Sequence, residues 1–402
     1  MKVLLVNKFH YMKGGSERYY FTLASALKLA GHQVIFFSMK SEKNFECPQS
    51  DYFVSNSSTD GSIKSKINML LHMNYSKEAY FKMKKLCTDE KPDLVVLNLV
   101  HKQLTCSIID AIRDVLPKTK IIWVMHDLIC VCPSYLMLNG KSEVCQLCLD
   151  GNMKHCVDNK CVKNSKFLSY LSYKEAVYIR KHDYYNKIDL YISPSEFHKK
   201  MLEKGKFTNK KIVCLPNPLD TDIVCCSKPS FDGYYLFLGR LSKEKGIMEL
   251  VYTFSKTNKK LVVLGDGPLK DDLFDYVKKN KLSNVELKGF ITGKELINYI
   301  EKSKFVIIPS ICYENAPYSA MEAMAFGKPL IVSNLGGLPE LVVNEQNGFV
   351  FNNSDELLSI LNRIDKINEK KYLEMCNKSF SIAKQRFDSR EYVSKLLKLV
   401  EE

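Results

Sequence analysis

The chain has 402 residues, of which 46% are hydrophobic and 26% are charged, and this composition excludes a disordered protein. A single hydrophobic core stops growing at about 250–300 residues, so the length predicts two domains. The formal net charge of +14 favours partners that carry phosphate, such as nucleotides, anionic lipids or nucleic acid, without choosing among them.

The apolar segments of the chain are short. Even the longest, such as residues 121–125 and 305–309, fall far short of the roughly 20 residues that a membrane-spanning helix needs. The residues after Met1 form a strand-like run without the features of a secretory signal. We therefore expect a cytoplasmic protein, in which the 14 cysteines are free thiols or metal ligands rather than a disulfide framework.

Short apolar runs of strand length alternate with helical patterns through the first half of the chain. Between the first two runs, apolar residues from Tyr19 to Ala30 recur on one helical face. A strand, a helix and a strand in succession predict a right-handed parallel crossover. The runs lie at residues 3–6, 34–37, 94–97, 121–125, 190–192 and 212–215.

The same alternation resumes in the second half, so the chain is predicted to contain two α/β domains with parallel sheets in series. The two prolines of the segment Pro216-Asn217-Pro218 predict a linker between them. We therefore expect an N-terminal domain at 1–216, a C-terminal domain at 217–385 and a terminal helix at 386–402. The second set of apolar runs lies at residues 234–238, 261–264, 305–308, 330–332 and 348–351.

Glycines and basic residues follow two predicted strands of the second half. The first strand leads into Gly239, Arg240 and Lys245, and the second leads into Gly265. In an open parallel sheet, ligands bind at the carboxyl ends of the strands, so these residues are placed where a phosphate could sit. A solvated basic loop and a plain turn are the alternative interpretations.

Two glutamates follow the strand at 305–308. A helix is predicted to begin at Pro317, because proline is tolerated in the first turn, and this leaves Glu314 in the preceding loop and Glu322 in the second turn. The N–H groups at a helix N-terminus bind anions, which suits a diphosphate. A carboxylate would be unfavourable there unless it had another role, such as accepting hydrogen bonds from sugar hydroxyls.

Two features of the first half also lie at predicted strand ends. Gly14 and Gly15 form a turn before the first helix, which suits a phosphate or a sugar, although a structural turn is the alternative. His126 follows the strand at 121–125 and could hydrogen-bond to a sugar, although a lone histidine is more often an ordinary core or surface residue.

Six cysteines lie between residues 130 and 161. The pairs Cys145 with Cys148 and Cys156 with Cys161 supply four thiolates at spacings that a tetrahedral structural zinc ion could use. Disulfides and free thiols are the alternatives. No catalysis is expected from a zinc ion here, because four ligands would close its coordination shell.

The motifs taken together resemble the retaining GT-B glycosyltransferases, in the family 4-like group of bacterial enzymes that use nucleotide sugars. Glu314 and Glu322 reproduce the E-x7-E spacing of that group. The resemblance covers nearly the whole chain. It includes, in order, Gly14-Gly15, Gly31-His32-Gln33-Val34, Gly239-Arg240 with Lys245-Gly246, Gly265-Asp266-Gly267-Pro268, and the segments 323–329 and 336–340.

The resemblance implies two Rossmann-like domains facing a cleft, with the terminal helix crossing back to the N-terminal domain. It also implies transfer of a sugar, most typically a hexose, from a nucleotide diphosphate sugar to a hydroxyl acceptor, with retention at the anomeric carbon. No divalent metal is required for that reaction, because basic residues and helix N-termini can stabilise the departing diphosphate.

Roles for individual residues are implied in the same way. Arg240 and Lys245 would neutralise the diphosphate, Glu322 would bind the ribose hydroxyls, and His126 would contact the donor sugar or the acceptor. Glu314 would contact the donor sugar. The remaining donor-binding positions would be Gly14, Gly15, Gly239, Gly265, Asn315 and Ala316.

The basic charge and the family's lipid-linked acceptors predict a role in cell-surface polysaccharide or glycolipid synthesis. They also predict peripheral association with the inner face of the cytoplasmic membrane through the lysines of residues 199–211. Two alternatives remain, a nucleotide-sugar epimerase of the same fold and a non-enzymatic, zinc-containing nucleic-acid-binding protein. The second would not need Glu314 and Glu322 beside a phosphate site, so no nucleic-acid partner is expected.

Overall fold

The computed structural model of the protein describes residues 1–55, 74–220 and 233–401. The chain divides into two compact units. Unit 1 comprises Met1–Pro218 and Ser389–Glu402, and unit 2 comprises Leu219–Asp388. The division falls beside the two prolines at 216 and 218, where the sequence predicts a linker.

Unit 1 is built on a six-stranded parallel sheet in the order β2-β1-β3-β4-β5-β6. Its strands are β1 (Lys2–Val6), β2 (Gln33–Phe37), β3 (Leu94–Leu97), β4 (Lys120–Val124), β5 (Leu190–Ser193) and β6 (Ile212–Cys214). Its helices are α1 (Gly15–Leu29), α2 (Lys77–Glu90), α3 (Ser107–Val115), α4 (His155–Asp158), α5 (Lys166–Lys181) and α6 (Glu196–Lys204).

Unit 2 also has a six-stranded parallel sheet, in the order β12-β11-β10-β7-β8-β9. Its strands are β7 (Tyr234–Leu238), β8 (Leu261–Leu264), β9 (Val285–Gly289), β10 (Ser303–Ile308), β11 (Leu330–Ser333) and β12 (Gly348–Phe351). Its helices are α7 (Ile247–Phe254), α8 (Lys270–Lys279), α9 (Gly293–Lys302), α10 (Tyr318–Ala325), α11 (Ser354–Ile364) and α12 (Glu369–Arg386).

The last helix, α13 (Ser389–Glu401), belongs to unit 1 and packs on α1. The hydroxyls of Tyr19 and Tyr392 are 2.8 Å apart in this contact, and both side chains are buried. Within the described ranges, no helix combines the length and the apolar character that crossing a bilayer requires.

The interior strands of both sheets consist of continuous apolar residues, because helices cover both faces of a parallel sheet. All residues of β3 and β8 are buried, for example. The observed architecture confirms the predicted α/β class with two parallel-sheet units.

The structure adds one strand that the apolar runs do not reveal. β9 (Val285–Gly289) has the sequence V-E-L-K-G and forms the edge of the unit 2 sheet. An edge strand is partly solvated, so it alternates apolar and charged residues instead of forming an apolar run. Two boundaries also shift: Pro317 is the N-cap of α10 rather than its first residue, and Ala30 lies exposed just beyond α1.

Each sheet has one point where the chain changes direction across the strands. In unit 1 the chain passes from β1 to β2 on one side and then to β3 on the other side of β1. In unit 2 it runs from β7 to β8 and β9, and then returns to place β10 on the other side of β7. Ligands of open α/β sheets bind outside the carboxyl ends of the strands at such switch points.

Candidate active site

The switch point of unit 2 is spanned by an ion pair between two predicted site residues. Lys245 lies in the loop after β7 and Glu314 in the loop after β10, and their Nζ and Oε1 atoms are 2.5 Å apart. The Ser310 hydroxyl donates a second hydrogen bond to the same Glu314 oxygen, at 2.6 Å. The carboxylate is therefore held by one cation and one hydroxyl in a partly buried position.

This pairing keeps the Lys245 ammonium charged. Burial acts to lower the pKa of Lys245, but the charge of Glu314, together with Cys312, the hydrogen bond to Glu314 and Glu244, outweighs it and raises the pKa above its ordinary value. An opposite charge in contact favours the charged form of a lysine. Lys245 is thus a permanent cation at the carboxyl edge of the sheet.

The backbone of Glu314 is fixed by the loop after β11. The Gly337 N–H donates to the Glu314 carbonyl at 2.7 Å, and the neighbouring Gly336 has a φ of +67°. A Cβ at Gly336 would lie 2.2 Å from the Glu314 carbonyl oxygen, so only glycine allows this approach. The Ser333 hydroxyl also donates to the Ser310 carbonyl at 2.7 Å, which fixes the start of the Glu314 loop.

The predicted glycines Gly239 and Gly265 contact each other at the ends of β7 and β8. Gly265 has a φ of +145°, and a Cβ there would lie 1.8 Å from the Gly239 carbonyl oxygen. The glycine at 265 is therefore required by packing between the two loops. A Cβ at Gly239 itself would make only ordinary contacts with Phe237.

The other predicted donor residues of unit 2 lie close in sequence to Lys245 or to Glu314. Arg240 is exposed directly after β7 and forms no ion pair with any residue that the structure describes. Glu322 is buried in the second turn of α10, and Asn315 and Ala316 lie in the loop between Glu314 and that helix. Strand β7 is therefore followed by an exposed cation, Arg240, and by a paired cation, Lys245.

His126 follows β4 in unit 1, as predicted, and lies between two neighbours from other elements. Its Nε2 is 3.2 Å from the Asn98 Oδ1 after β3, and its ring contacts the Tyr19 ring of α1 edge-on at a centroid distance of 4.7 Å. Burial lowers the pKa of His126 to about 3, so the imidazole is neutral near pH 7. It can give or accept one hydrogen bond but carries no charge.

Asn7 bridges the switch point of unit 1. Its Oδ1 accepts from the Leu99 N–H after β3 at 3.3 Å, and its Nδ2 donates to the buried Glu17 of α1 at 3.1 Å. The predicted glycines Gly14 and Gly15 stand at the start of the same helix. Gly14 has an extended backbone with a φ of −167°, a conformation that any residue adopts.

Two buried side chains near His126 keep polar atoms without a partner among the described residues. They are the Nδ2 of Asn98 and both ring nitrogens of His198, which lies in the first turn of α6 after β5. Burial, and next the charge of His126, lowers the pKa of His198 to about 3. Buried polar atoms normally have partners, so these atoms indicate a place where water or a ligand binds.

Ionisable groups at the unit 1 edge are shifted toward their neutral forms. Burial lowers the pKa of Lys8 to about 8, and the charges of Lys102 and Lys13 add to this effect. Burial also raises the pKa of Glu175 on α5 to about 7, although the Lys102 N–H donates to its carboxylate at 2.9 Å. Burial raises the pKa of Asp127 as well.

The four cysteines predicted to bind zinc are free thiols in a partly apolar setting. Cys148 and Cys156 are buried in a small hydrophobic cluster with Met153, and Cys161 packs against it. A shared hydrogen bond raises the pKa of Cys156 and lowers that of Cys161.

Across the described residues, no three His, Cys, Asp or Glu side chains are arranged to hold a metal ion. Three thiols of the predicted zinc set, Cys148, Cys156 and Cys161, lie in or against this hydrophobic cluster. The zinc site stays a prediction.

The structure thus brings together Lys245 with Glu314 and Gly239 with Gly265, whereas His126, Gly14 and Gly15 belong to the other unit. The functional candidates that the sequence analysis missed are Ser310, Asn7, Asn98 and His198. All four are polar residues within five positions of the end of a strand. That position in the sequence is the signal that could have identified them.

Sequence comparisons match both units. The profile described as "Glycosyl transferases group 1" matches residues 227–386, and the one described as "Glycosyltransferase Family 4" matches residues 13–223. An uncharacterised glycosyltransferase of Methanocaldococcus jannaschii is 32% identical over 170 residues, which are 42% of this chain and 47% of that protein.

An Escherichia coli protein named UDP-Gal:alpha-D-GlcNAc-diphosphoundecaprenol alpha-1,3-galactosyltransferase is 32% identical over 122 residues. The match covers 29% of this chain and 30% of that protein. The chain thus matches half or less of the length of these relatives.

Among solved structures, Anabaena HepE in complex with UDP and glucose superposes with a TM-score of 0.69 over 100% of both chains, at 16% sequence identity. This likeness shows the fold, which is the predicted GT-B architecture. The family 4 profile alone spans more than half of the sequence. The chain therefore belongs to glycosyltransferase family 4.

Proposed function

We propose that the protein is a retaining glycosyltransferase that moves a sugar, most simply a hexose, from a nucleotide diphosphate sugar to a hydroxyl acceptor. The observation that carries this proposal is the ion pair of Lys245 and Glu314 across the unit 2 switch point. Arg240 is exposed five residues before Lys245. Family membership and the E-x7-E spacing of Glu314 and Glu322 support the same conclusion.

The leaving group of this reaction is a nucleoside diphosphate, which gains negative charge as the bond to the sugar breaks. Arg240 can form two parallel hydrogen bonds to phosphate oxygens, and Lys245 adds a second positive charge. Charges fixed in place before the reaction stabilise the transition state without further reorganisation. These two side chains can therefore supply the electrostatic stabilisation, so the proposal requires no divalent metal.

The two glutamates would bind the hydroxyl groups of the donor. Lys245 and Ser310 share one oxygen of Glu314, so its other oxygen can accept from a sugar hydroxyl. Glu322 would accept from the ribose hydroxyls. Asn315 and Ala316, between Glu314 and α10, would provide backbone contacts to the donor sugar.

Unit 1 would bind the acceptor and part of the donor sugar. Its edge presents the neutral imidazoles of His126 and His198 and the amide of Asn98. Neutral donors and acceptors of hydrogen bonds suit a hydroxyl substrate better than an anion. In the retaining mechanism that the family implies, the acceptor attacks on the same face as the leaving group, and the diphosphate accepts its proton.

The acceptor that we propose is a lipid-linked saccharide, in the synthesis of a cell-surface polysaccharide or glycolipid. The name of the E. coli relative describes transfer of galactose to a GlcNAc on diphosphoundecaprenol. The formal charge of +14 favours such a phosphate-bearing substrate.

A panel of nucleotide sugars tests the donor half of the proposal by thermal stabilisation. A ligand at 100 times its Kd adds about 2.7 kcal/mol to the free energy of unfolding. We expect one nucleotide diphosphate sugar to raise the melting temperature more than its free sugar or the nucleoside monophosphate does. Absence of stabilisation by every nucleotide sugar would contradict the proposal.

The reaction itself separates the proposal from its two alternatives. Proton NMR of the product should show the same anomeric configuration as in the donor. An epimerase would instead convert the nucleotide sugar in the absence of any acceptor. A nucleic-acid-binding protein would bind nucleic acid with a steep salt dependence and would not bind the nucleotide sugar.

A further inference from the structure

Helix α5 (Lys166–Lys181) exposes apolar and basic side chains along one face. Phe167 is 61% exposed, Tyr170 46% and Val177 38%. The exposed residues recur at helical spacing, so they line one side of the helix. We define this outer face of α5 as Lys166, Phe167, Tyr170, Lys174, Val177 and Lys181.

The buried face of the same helix is unusually polar. Ser169, Ser172 and Glu175 are buried on that side, together with Ala176 and Ile179. A helix on the surface of a globular protein normally buries its apolar stripe and exposes its polar one. In α5 part of this order is reversed, so the fold does not account for its exposed aromatic residues.

The orientation of α5 is fixed by contacts on its buried side and at its ends. The Ser165 hydroxyl caps the helix by accepting from the Leu168 N–H at 3.3 Å, and Arg180 donates to the Cys130 carbonyl at 2.9 Å. Glu175 accepts from the Lys102 N–H at 2.9 Å. These contacts hold the outer face toward solvent.

The charge on the outer face has one sign. Its three charged residues are lysines, and Glu175, the single acid in the sequence of α5, is buried. The Lys174 ammonium lies 5.9 Å from the centre of the Tyr170 ring. Lysines have apolar stems and can extend their charges outward from an apolar surface.

We propose that the outer face of α5 docks the protein on an anionic lipid surface. Aromatic residues alternating with lysines match an interface where rings enter the headgroup region and ammonium groups meet lipid phosphates. This charge complementarity favours an anionic membrane over a second copy of the chain, because a second copy would bring the same positive face.

The lysines of residues 199–211, predicted earlier to bind a membrane, are less suited to this role. Lys199 lies 3.9 Å from Glu203, and Lys204 donates to Gln146. The aromatic residue within that segment, Phe207, is buried. A basic surface without exposed apolar side chains binds lipid more weakly than one that has both.

Docking through α5 has a consequence for the sheet edge of unit 1. The buried side of the helix contacts Lys102, which lies in the loop after β3. A helix is about 10 Å across, so the lipid surface would lie about one helix diameter from that edge. The docking proposal goes beyond the proposed function and does not depend on it, because binding to lipid is measured without any reaction.

The test is cosedimentation of the full chain with vesicles of phosphatidylglycerol and phosphatidylcholine, compared with phosphatidylcholine alone. We expect binding to the anionic vesicles that weakens as salt is added. The double substitution F167S and Y170S should reduce the lipid partition coefficient at least about tenfold, because it removes two rings that would be buried in the headgroup region. The charge reversals K166E and K174E should have a comparable effect.

The matched control is F81S, because Phe81 is 64% exposed on α2 of the same unit, with lysines nearby. F81S should change the lipid partition coefficient by less than about twofold, whereas the double substitution on α5 should change it about tenfold. All these positions are exposed, so circular dichroism and the melting temperature should match those of the wild type.

Either of two results overturns the proposal: no binding of the wild type to anionic vesicles, or unchanged binding by both the serine and the charge-reversal variants. Loss of a dimer in F167S and Y170S, measured by analytical ultracentrifugation without lipid, would instead assign the face to self-association. If vesicle binding were lost only on charge reversal of Lys210 and Lys211, the membrane-binding surface would instead be residues 199–211.

Discussion

The ionisable groups near the two switch points have pKa values that are shifted in opposite senses, toward the charged form in unit 2 and toward the neutral form in unit 1. In unit 2, Lys245 and Glu314 contact each other, and the pKa of Lys245 lies above its ordinary value. In unit 1, burial lowers the pKa of Lys8 to about 8 and raises that of Glu175 to about 7. Both units have a six-stranded parallel sheet with a switch point, although their strand orders differ. The difference in pKa follows from side-chain pairing.

The physical reason is that burial disfavours the charged form of any group, whereas a partner of opposite charge favours it. Unit 2 places its buried lysine in direct contact with a carboxylate. Unit 1 buries His126 and His198 without such a partner, and the pKa of each falls to about 3. The comparison contrasts a paired lysine at the edge of unit 2 with neutral imidazoles at the edge of unit 1.

The largest expected effect comes from removing the exposed cation of unit 2. Arg240→Ala should lower kcat by about 10²–10³-fold, because a fixed donor to the developing charge is worth about 3–4 kcal/mol in the transition state. Donor affinity should fall less than kcat. Steady-state kinetics measure both constants, and the exposed Lys243→Ala in the same loop is the control. Near-normal turnover in Arg240→Ala would contradict the assignment of the charged edge.

The second effect concerns donor binding in unit 2. Glu322→Ala should weaken nucleotide-sugar binding by about 10- to 150-fold, since a hydrogen bond to a charged group contributes about 1.5–3 kcal/mol. Isothermal titration calorimetry measures the affinity. Glu249→Ala, an exposed position on α7, should leave it unchanged. Equal affinities for the two variants would remove Glu322 from the donor site.

The third effect concerns the raised pKa of Glu175 in unit 1, which should make the free energy of unfolding depend on pH. The folded-state pKa of Glu175 is raised from 4.5 to about 7, so the folded chain holds more protons than the unfolded chain between these values. The free energy of unfolding should therefore fall as pH rises from 4.5 to 7. Glu175→Gln should remove this fall and be more stable by about 3 kcal/mol at pH 8, with little difference at pH 4.5.

Denaturant unfolding followed by the fluorescence of Trp123 measures this effect within unit 1. Trp123 is the single tryptophan of the chain and is buried beside β3. The exposed Glu203→Gln on α6 is the control and should reproduce the wild-type pH dependence. The same pH dependence in Glu175→Gln would show that another group causes the fall.

A smaller effect is expected from His126 in unit 1. His126→Ala should reduce transfer about tenfold, the value of one hydrogen bond of about 1.4 kcal/mol, while donor binding by unit 2 changes little. Because the pKa of His126 is about 3, its contribution should not vary between pH 5 and 8. The exposed His182→Ala is the control. Loss of a pH-dependent step near pH 6 in the variant would mean that His126 titrates.

A further difference between the units is the cysteine segment at residues 130–161, which lies in unit 1. If Cys145, Cys148, Cys156 and Cys161 rearrange to bind zinc, protein purified without a metal-affinity tag should contain one equivalent by elemental analysis. A chelator should then loosen this segment more readily at lower pH, because thiolates must be deprotonated to bind metal. Zinc well below one equivalent in active protein would leave free thiols or disulfides, which thiol counting separates.

The sequence by itself predicted every described strand except the edge strand β9, their parallel arrangement and most of the residues proposed for the site in unit 2. Apolar runs such as β3 and β8 mark buried parallel strands, and the residues after β7 and β10 lie at the ligand edge because of the topology alone. The order of motifs also identified the family, since each motif is local in the chain.

Only the tertiary structure decided which groups meet and which remain charged. Lys245 and Glu314 are 69 residues apart, and no local pattern shows that they share an oxygen with Ser310. The neutral state of His126 and the exposed aromatic residues of α5 likewise depend on what surrounds them. Burial and pairing are set by contacts between distant segments, so they become known only when the sheets and helices have packed.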